Sequence, residues 1–202
     1  MNFKLRTNKR ALEEKACEGV AVGRVSKLQN GVMAMSMTAL AAAIISVISP
    51  WSIPVGPIPV TLCSFAIYLI SSVLGGVRGA AAVGIYILLG GVGLPVFSGF
   101  AGGLQVVAGA TGGYIIGYIP CALITGGITS LSRKWYWSFA GMLLGTAVLY
   151  AVGTAWYILL SGVELVPALS ACVLPFLPFD IVKMAVASYL GRRLRTAMER
   201  RL

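Results

Sequence analysis

The sequence predicts an all-α membrane protein with six transmembrane helices, irregular or re-entrant outer loops, and both termini in the cytoplasm. Of the 202 residues, 58% are hydrophobic and 11% are charged, a composition outside the range of soluble domains. Between residues 31 and 191 there are only six charged side chains, and a bilayer core requires about 20 apolar residues per helix. The distribution of Lys and Arg along the chain sets the predicted orientation.

Prolines and glycines delimit the first three spans. Span 1 is predicted over residues 31–49 and ends at Pro50. The next stretch, WSIPVGPIPV, contains three prolines that exclude a regular helix. Span 2 is predicted over residues 61–77, and a GGVRG turn around Arg78 separates it from span 3, over residues 80–91.

A Gly-rich stretch over residues 91–113 precedes the last three spans. It contains too many glycines for one continuous helix, and irregular backbone at membrane depth survives only where protein or a water-filled cavity satisfies its polar groups. We therefore expect a folded or re-entrant loop that lines a cavity. Span 4 is predicted over residues 112–131. Span 5 runs from an aromatic cluster at residues 135–137 to Trp156 and Tyr157, about 28 Å and long enough to join two interfacial belts.

Span 6 is predicted over residues 174–190, followed by the basic sequence GRRLRTAMERRL. With six spans, the N-terminal tail, the turn at Arg78, the turn at Arg133 and Lys134, and the C-terminal tail share one face, which the positive-inside rule makes cytoplasmic. The predicted organisation is a basic tail over residues 1–30, a membrane domain over 31–191 and a basic tail over 192–202. The first 30 residues contain no apolar run of signal-peptide length, so we expect no cleavage there.

Several function classes have little support in the sequence. The chain has no His, and its four Cys show no CxxC spacing, so a metal site, redox chemistry and a disulfide framework are not expected. No Ser is paired with a base at a recognisable spacing, and the Gly-rich loop lacks GK[ST], so we predict neither an enzyme nor a bound cofactor. The net charge of +10 resides in tails and short loops, which favours membrane topology over nucleic-acid binding.

Asp180 and Lys183 are the most informative residues of the apolar stretch LPFLPFDIVKMAVASYL. Charged side chains within a membrane span are costly and usually face the bundle interior, and a separation of three places both on one helix face. One interpretation is a ligand site with an acceptor beside a cationic donor. The alternative is an ion pair that neutralises itself and only packs.

Small residues recur at spacings of four. Gly113 with Gly117, and Gly141 with Gly145, form GxxxG pairs that favour close helix packing. Ala39 and Ala43 place two small side chains on one face of span 1, which would admit a helix of this chain or of another protein. Gly102 and Gly103 fit either of two roles, close approach of the backbone to a small solute or packing of neighbouring helices.

Four stretches together resemble the BioY family, the biotin-binding S-components of energy-coupling factor (ECF) transporters. They are IPVGPIPVTL, GLPVFSGFAGG, GATGGYIIGY and LPFLPFDIVKMAVA, in this order. The resemblance implies a six-helix subunit of a prokaryotic plasma membrane that captures biotin at its outer face for uptake. It also implies association with a transmembrane coupling protein (T-component) and two cytoplasmic ATPases, with Ala39 and Ala43 as an AxxxA docking motif.

The resemblance also implies a binding site. The family's Asp and Lys on helix 6 match Asp180 and Lys183, and a carboxylate can accept from the ureido N–H groups of biotin while an ammonium donates to its carbonyl or opposes its carboxylate. The remaining residues predicted to line the site are Tyr86, Phe97, Ser98, Phe100, Gly102, Gly103 and Tyr114. Two alternatives to a biotin S-component stay open: an S-component for another vitamin, and a stand-alone secondary transporter, which would be expected to show internal repeats.

Overall fold

The computed structural model describes residues 31–53, 58–132 and 134–199. The predicted N-terminal tail, Arg133 and the last residues of the predicted C-terminal tail lie outside them. The chain divides between residues 37 and 38, and the packing is that of the described residues from 38 onward. The elements in chain order are α1 (Gly31–Ile48), β1 (Ser52–Ile53), β2 (Val60–Thr61), α2 (Cys63–Leu74), α3 (Gly76–Gly91), a 3-10 turn (Ser98–Phe100), α4 (Leu104–Ala108), α5 (Gly112–Leu131), α6 (Trp135–Ser161), α7 (Leu165–Cys172) and α8 (Leu177–Glu199).

The all-α membrane class predicted from the sequence is confirmed. Among the described residues, α1, α5 and α6 are long and apolar enough to cross a membrane. Helices α2 and α3 are apolar but have 12 and 16 residues. Helix α8 has 23 residues and carries Asp180, Lys183 and basic residues in its C-terminal half. Six spans, and the side of the membrane on which the termini lie, stay predictions.

The boundary between spans 2 and 3 was predicted wrongly. Helix α2 ends at Leu74, and Arg78 lies in the first turn of α3 rather than in a turn between helices. Gly75 alone makes the break, with φ +85, a conformation that only glycine adopts at little cost. Gly76 is the first residue of α3 and sits against α5, where an added Cβ would lie 2.6 Å from the carbonyl oxygen of Leu123.

The connection before α8 also differs from the prediction. A short helix, α7, occupies Leu165–Cys172 in a segment for which no helix was predicted. Helix α8 begins at Leu177 and continues through Glu199, so residues 192–199 of the predicted basic tail are helical. Asp180 lies in the first turn of α8, where the partial positive charge of a helix N-terminus favours an acidic side chain.

The two loops beside α1 and α3 are folded, as expected from their Pro and Gly content. The flanks of the Pro-rich loop form an antiparallel pair in which Ser52 opposes Thr61. In the Gly-rich loop a 3-10 turn and the five-residue α4 replace a continuous helix. The amide of Gly99 donates to the carbonyl oxygen of Pro50 at 3.0 Å, so the Gly-rich loop is attached to the end of α1.

Helices α5 and α6 pack closely through the predicted GxxxG pairs. An added Cβ on Gly113 would lie 2.2 Å from Cβ of Trp156, and one on Gly145 would lie 2.9 Å from the carbonyl oxygen of Cys121. Small residues allow helix backbones to approach at such distances, and the resulting van der Waals contact holds helices together in lipid. The glycines of these pairs therefore serve packing.

Candidate functional site

Two adjoining cavities lie where β2, α2, α5 and α8 begin. The first, of about 110 Å³, is mostly apolar and is lined by aromatic side chains from α3, α5 and the Gly-rich loop. The second, of about 40 Å³, contains Asp180 and Lys183. The wall that the two cavities share consists of Ile58, Pro59, Thr61, Tyr114 and Tyr118. An apolar compartment therefore adjoins a charged one, an arrangement suited to a ligand with both characters.

Asp180 and Lys183 form a largely buried ion pair in the second cavity. Lys183 Nζ lies 3.1 Å from Asp180 Oδ1, and Asp180 is only 5% exposed. Helix α8 places both side chains on one face because they are three residues apart. Charges buried to this degree require partners, since isolation from water is otherwise costly.

Neutral groups from three other elements complete the bonding of this pair. Tyr150 of α6 donates its hydroxyl proton to Asp180 Oδ2 at 2.7 Å, and Ser64 of α2 donates to Oδ1 at 3.4 Å. Lys183 Nζ donates to the carbonyl oxygen of Thr61 at 2.7 Å and to Ser64 Oγ at 3.2 Å. The pair thus connects α8 to β2, α2 and α6.

The carboxylate retains one acceptor position. A carboxylate offers about four lone-pair sites, and Asp180 accepts from Tyr150, Ser64 and Lys183. Two of these donors share Oδ1, so the remaining position is on Oδ2. By contrast, the three N–H donors of Lys183 are matched by Thr61, Ser64 and Asp180, and a ligand that bonds to this ammonium must replace one of these acceptors.

The first cavity has aromatic walls held by neighbouring groups. Phe97, which is 1% exposed, meets the ring of Tyr86 edge-on with centroids 5.5 Å apart, a favourable aromatic geometry. The Tyr86 and Ser49 hydroxyls are 2.6 Å apart, and Tyr114 OH lies 3.1 Å from Thr154 Oγ1. These contacts hold the aromatic rings in place in the structure with no ligand bound.

The structure brings six of the nine predicted site residues to the cavities. Asp180 and Lys183 line the second cavity; Tyr86, Phe97, Ser98 and Tyr114 line the first, and Tyr114 also lines the second.

Three predicted residues lie outside both cavities. Phe100 is 61% exposed and contacts the ring of Trp51. An added Cβ on Gly102 would lie 2.4 Å from the carbonyl oxygen of Leu94, and Gly103 has φ +100. Both glycines therefore allow the Gly-rich loop to fold on itself.

Sequence reasoning did not identify Ser64, Tyr118 or Tyr150 as site residues. Tyr118 could have been found, since it follows Tyr114 by four residues and therefore shares its helix face. Ser64 had a weaker signal, as a hydroxyl in the first turn of span 2. Tyr150 had none, because it lies 30 residues before Asp180 and its contact arises only when α6 packs against α8.

Ala39 and Ala43 lie together on the exposed face of α1. Ala41, Ala42 and Ile45 of the same helix are buried in the core. A helix with one buried face has its opposite face free for lipid or a partner. The predicted docking residues are therefore accessible in this structure.

These features define a class: a helical membrane protein with a small, partly polar cavity at one end of its helices. The BioY family model matches residues 20–200, and the chain belongs to the BioY family. It is 40% identical over 151 residues to the biotin transporter BioY of Thermotoga maritima, covering 74% of this chain and 88% of the relative. It is 38% identical over 161 residues to a probable biotin transporter BioY of Pyrococcus horikoshii, covering 80% and 95%.

A solved structure has the same fold. The crystal structure of the S-component for biotin from an ECF-type ABC transporter superposes with a TM-score of 0.77 and 28% sequence identity, covering 83% of this chain and 93% of that chain. The resemblance inferred from the four sequence motifs is therefore confirmed at the level of family and fold.

Proposed function

We propose that this chain is the biotin-binding S-component of an ECF transporter and takes part in biotin uptake without catalysing a reaction itself. The observation that carries the proposal is the buried Asp180–Lys183 pair beside a cavity with aromatic walls. Biotin combines a polar ureido ring and a carboxylate with an apolar sulfur ring. Membership of the BioY family and the names of its relatives support this ligand.

Asp180 and Lys183 are assigned to the polar groups of biotin. The unoccupied acceptor position on Asp180 Oδ2 suits one ureido N–H donor. Lys183 can turn one donor from Thr61 toward the ureido carbonyl or the carboxylate. A ligand that has neither a ureido group nor a carboxylate would displace water from the ion pair without replacing its hydrogen bonds. The site therefore discriminates against such a ligand.

The first cavity is assigned to the apolar part of biotin. Tyr86, Phe97 and Tyr114 supply apolar area there, and Ser98 supplies a hydroxyl at its edge. The cavities as they stand are smaller than the usual range of ligand pockets. Binding therefore includes an outward shift of their shared wall, which comes from the Pro-rich loop and the first two turns of α5.

Transport requires partners that hydrolyse ATP. The sequence contains no GK[ST] motif, and the ECF context of the solved relative supports a T-component and two cytoplasmic ATPases as partners. The membrane involved would be the prokaryotic plasma membrane, crossed several times by this chain, with both termini on the ATPase side as the Lys and Arg distribution indicates.

The test of function is equilibrium binding of labelled biotin to the purified full chain in detergent. Unlabelled biotin and desthiobiotin, which keeps the ureido ring, should compete, whereas lipoic acid, which has sulfur and a carboxylate but no ureido group, should not. Tighter binding of a different vitamin would assign the chain to that vitamin instead. Biotin uptake in cells without ATPase partners would indicate a stand-alone transporter.

The partner assignment is tested on the exposed face of α1. Ala39→Leu with Ala43→Leu should leave biotin binding unchanged, since both residues are exposed and outside the cavities. The same change should abolish co-purification with a T-component, because larger side chains prevent close helix approach. Ala147→Leu, at an exposed position of α6, is the matched control and should preserve assembly. Normal co-purification of the double variant would exclude this docking face.

A further inference from the structure

Two further cavities lie at the opposite end of the helices, where α5 ends and α6 begins. Both are lined by Arg192 and Thr196 of α8, so they adjoin each other. Neither of them shares a lining residue with the two cavities of the candidate biotin site. Their chemistry therefore requires a separate explanation.

The smaller cavity, of about 180 Å³, is rich in hydroxyl groups and cations. Its lining residues are Ser72, Thr129, Ser132, Ser138, Gly191, Arg192, Arg195 and Thr196. Serine and threonine hydroxyls together with guanidinium groups are donors suited to phosphate oxygens. None of these lining residues, all of which the structure describes, has an acidic side chain.

The side chain of Thr129 contributes an unsatisfied hydroxyl group to the lining of this cavity. The residue is 5% exposed, and its Oγ1 is buried without a hydrogen-bond partner. A buried hydroxyl left unpaired costs about 1–3 kcal/mol, so an external acceptor or donor is favoured here. Arg195 Nη1 donates to the carbonyl oxygen of the same Thr129 at 3.1 Å, which holds the guanidinium beside the unpaired hydroxyl.

The larger cavity is an open groove of about 1050 Å³ between α8 and the start of α6. Its walls combine apolar surface from Ala185 and Leu194 with the aromatic rings of Trp135 and Tyr189. Tyr189 is tied to Arg193, whose Nη2 donates to the tyrosine hydroxyl at 2.9 Å. Trp and Tyr are enriched where helices meet the lipid headgroups, which places this groove at a membrane interface.

We propose that these two cavities form one binding site for an anionic phospholipid. The phosphate occupies the hydroxyl-lined cavity between Arg192 and Arg195, and the acyl chains follow the groove past Trp135 and Tyr189. A free phosphate would use the first cavity alone. The groove, which joins apolar and aromatic surface to Arg192 and Arg193, favours a lipid, and basic pockets of this kind between membrane helices bind anionic headgroups.

Native mass spectrometry of the full chain in detergent tests the proposal, with phosphatidylglycerol and phosphatidylcholine of identical acyl chains added in equal amounts. The wild-type chain should retain phosphatidylglycerol in preference. Arg192→Gln with Arg195→Gln should reduce that preference about fivefold or more, given the typical contribution of a cation near an anionic headgroup. Arg78→Gln, an exposed arginine of α3 outside both cavities, is the matched control and should retain it.

Thr129→Val supplies a second measurement that does not depend on charge. It should lower phosphatidylglycerol retention without lowering the midpoint of thermal unfolding of the lipid-free protein, because the hydroxyl it removes has no partner. Equal retention of both lipids by the wild-type chain would refute the site, as would equal loss of preference in the Arg78 variant. Displacement of the lipid by millimolar inorganic phosphate would show a free-anion site and overturn the lipid assignment.

Discussion

Neutralising the buried ion pair one partner at a time, and then both together, separates its structural role from its role in binding. Asp180→Asn keeps the shape of the side chain but leaves the Lys183 ammonium without its counter-charge. Lys183→Met keeps the length of the side chain but leaves the carboxylate with only its neutral donors, Tyr150 and Ser64. The double variant contains neither charge.

The distances in the structure set the magnitude of the single changes. At 3.1 Å and an effective dielectric constant of about 20, the attraction between the two charges is about 5 kcal/mol. Removing one partner of a buried pair typically destabilises a protein by about 3–5 kcal/mol, because the other charge remains buried. Each single variant should therefore lose about 3 kcal/mol of folding stability, and the double variant should recover most of it.

Biotin affinity should follow a different pattern. All three variants should bind biotin at least about 2 kcal/mol more weakly, the scale of a lost hydrogen bond to a charged group, which corresponds to about thirtyfold in the dissociation constant. Thermal unfolding and biotin titration of the same purified samples give both quantities. A double variant that binds biotin like the wild-type chain would show that the pair only packs, and the reasoning about the site would be wrong.

Two further substitutions test the surroundings of the site. Tyr150→Phe removes the 2.7 Å hydrogen bond to the carboxylate of the ion pair and should weaken biotin binding about tenfold in titrations. Tyr157→Phe, on the same helix but outside both cavities, is the control and should have no effect. Equal biotin affinities of the two variants would show that the Tyr150 hydroxyl does not belong to the site. Gly90→Ala would place a Cβ 2.1 Å from the ring of Phe97, so it should displace that wall and lower biotin affinity. Gly84→Ala lies in the same helix with open space around it, so it should leave biotin affinity unchanged. Unchanged affinity of both variants would show that the position of the Phe97 ring does not matter for binding.

The membrane class and most helix positions follow from local sequence properties. Apolar runs bounded by Pro, Gly, basic residues or aromatic clusters suffice to locate α1, α5 and α6, since lipid requires the backbone to satisfy its own hydrogen bonds. Boundaries failed where tertiary contact decided them. Gly75 and Gly76 are adjacent glycines, and only the folded backbone, with φ +85 at Gly75 and Gly76 packed against α5, shows which of them makes the break.

The sequence by itself determined the charged centre of the candidate site. An acid and an amine three residues apart in an apolar stretch must share a helix face, because helix geometry is local and buried charges require partners. The last of the four family motifs, LPFLPFDIVKMAVA, contains the same two residues. Tyr86, Phe97 and Tyr114, which were predicted to line the site, line the first cavity in the structure.

Only the tertiary structure decided which neutral groups surround that centre. Ser64, Tyr150 and the carbonyl oxygen of Thr61 reach the ion pair from three other elements, and no local pattern encodes contacts between residues so distant in the chain. The same is true of Phe100, which the fold of the Gly-rich loop turns away from the cavity to meet Trp51. Charge and periodicity are properties of a segment, whereas the partners of a buried charge depend on how separate helices pack.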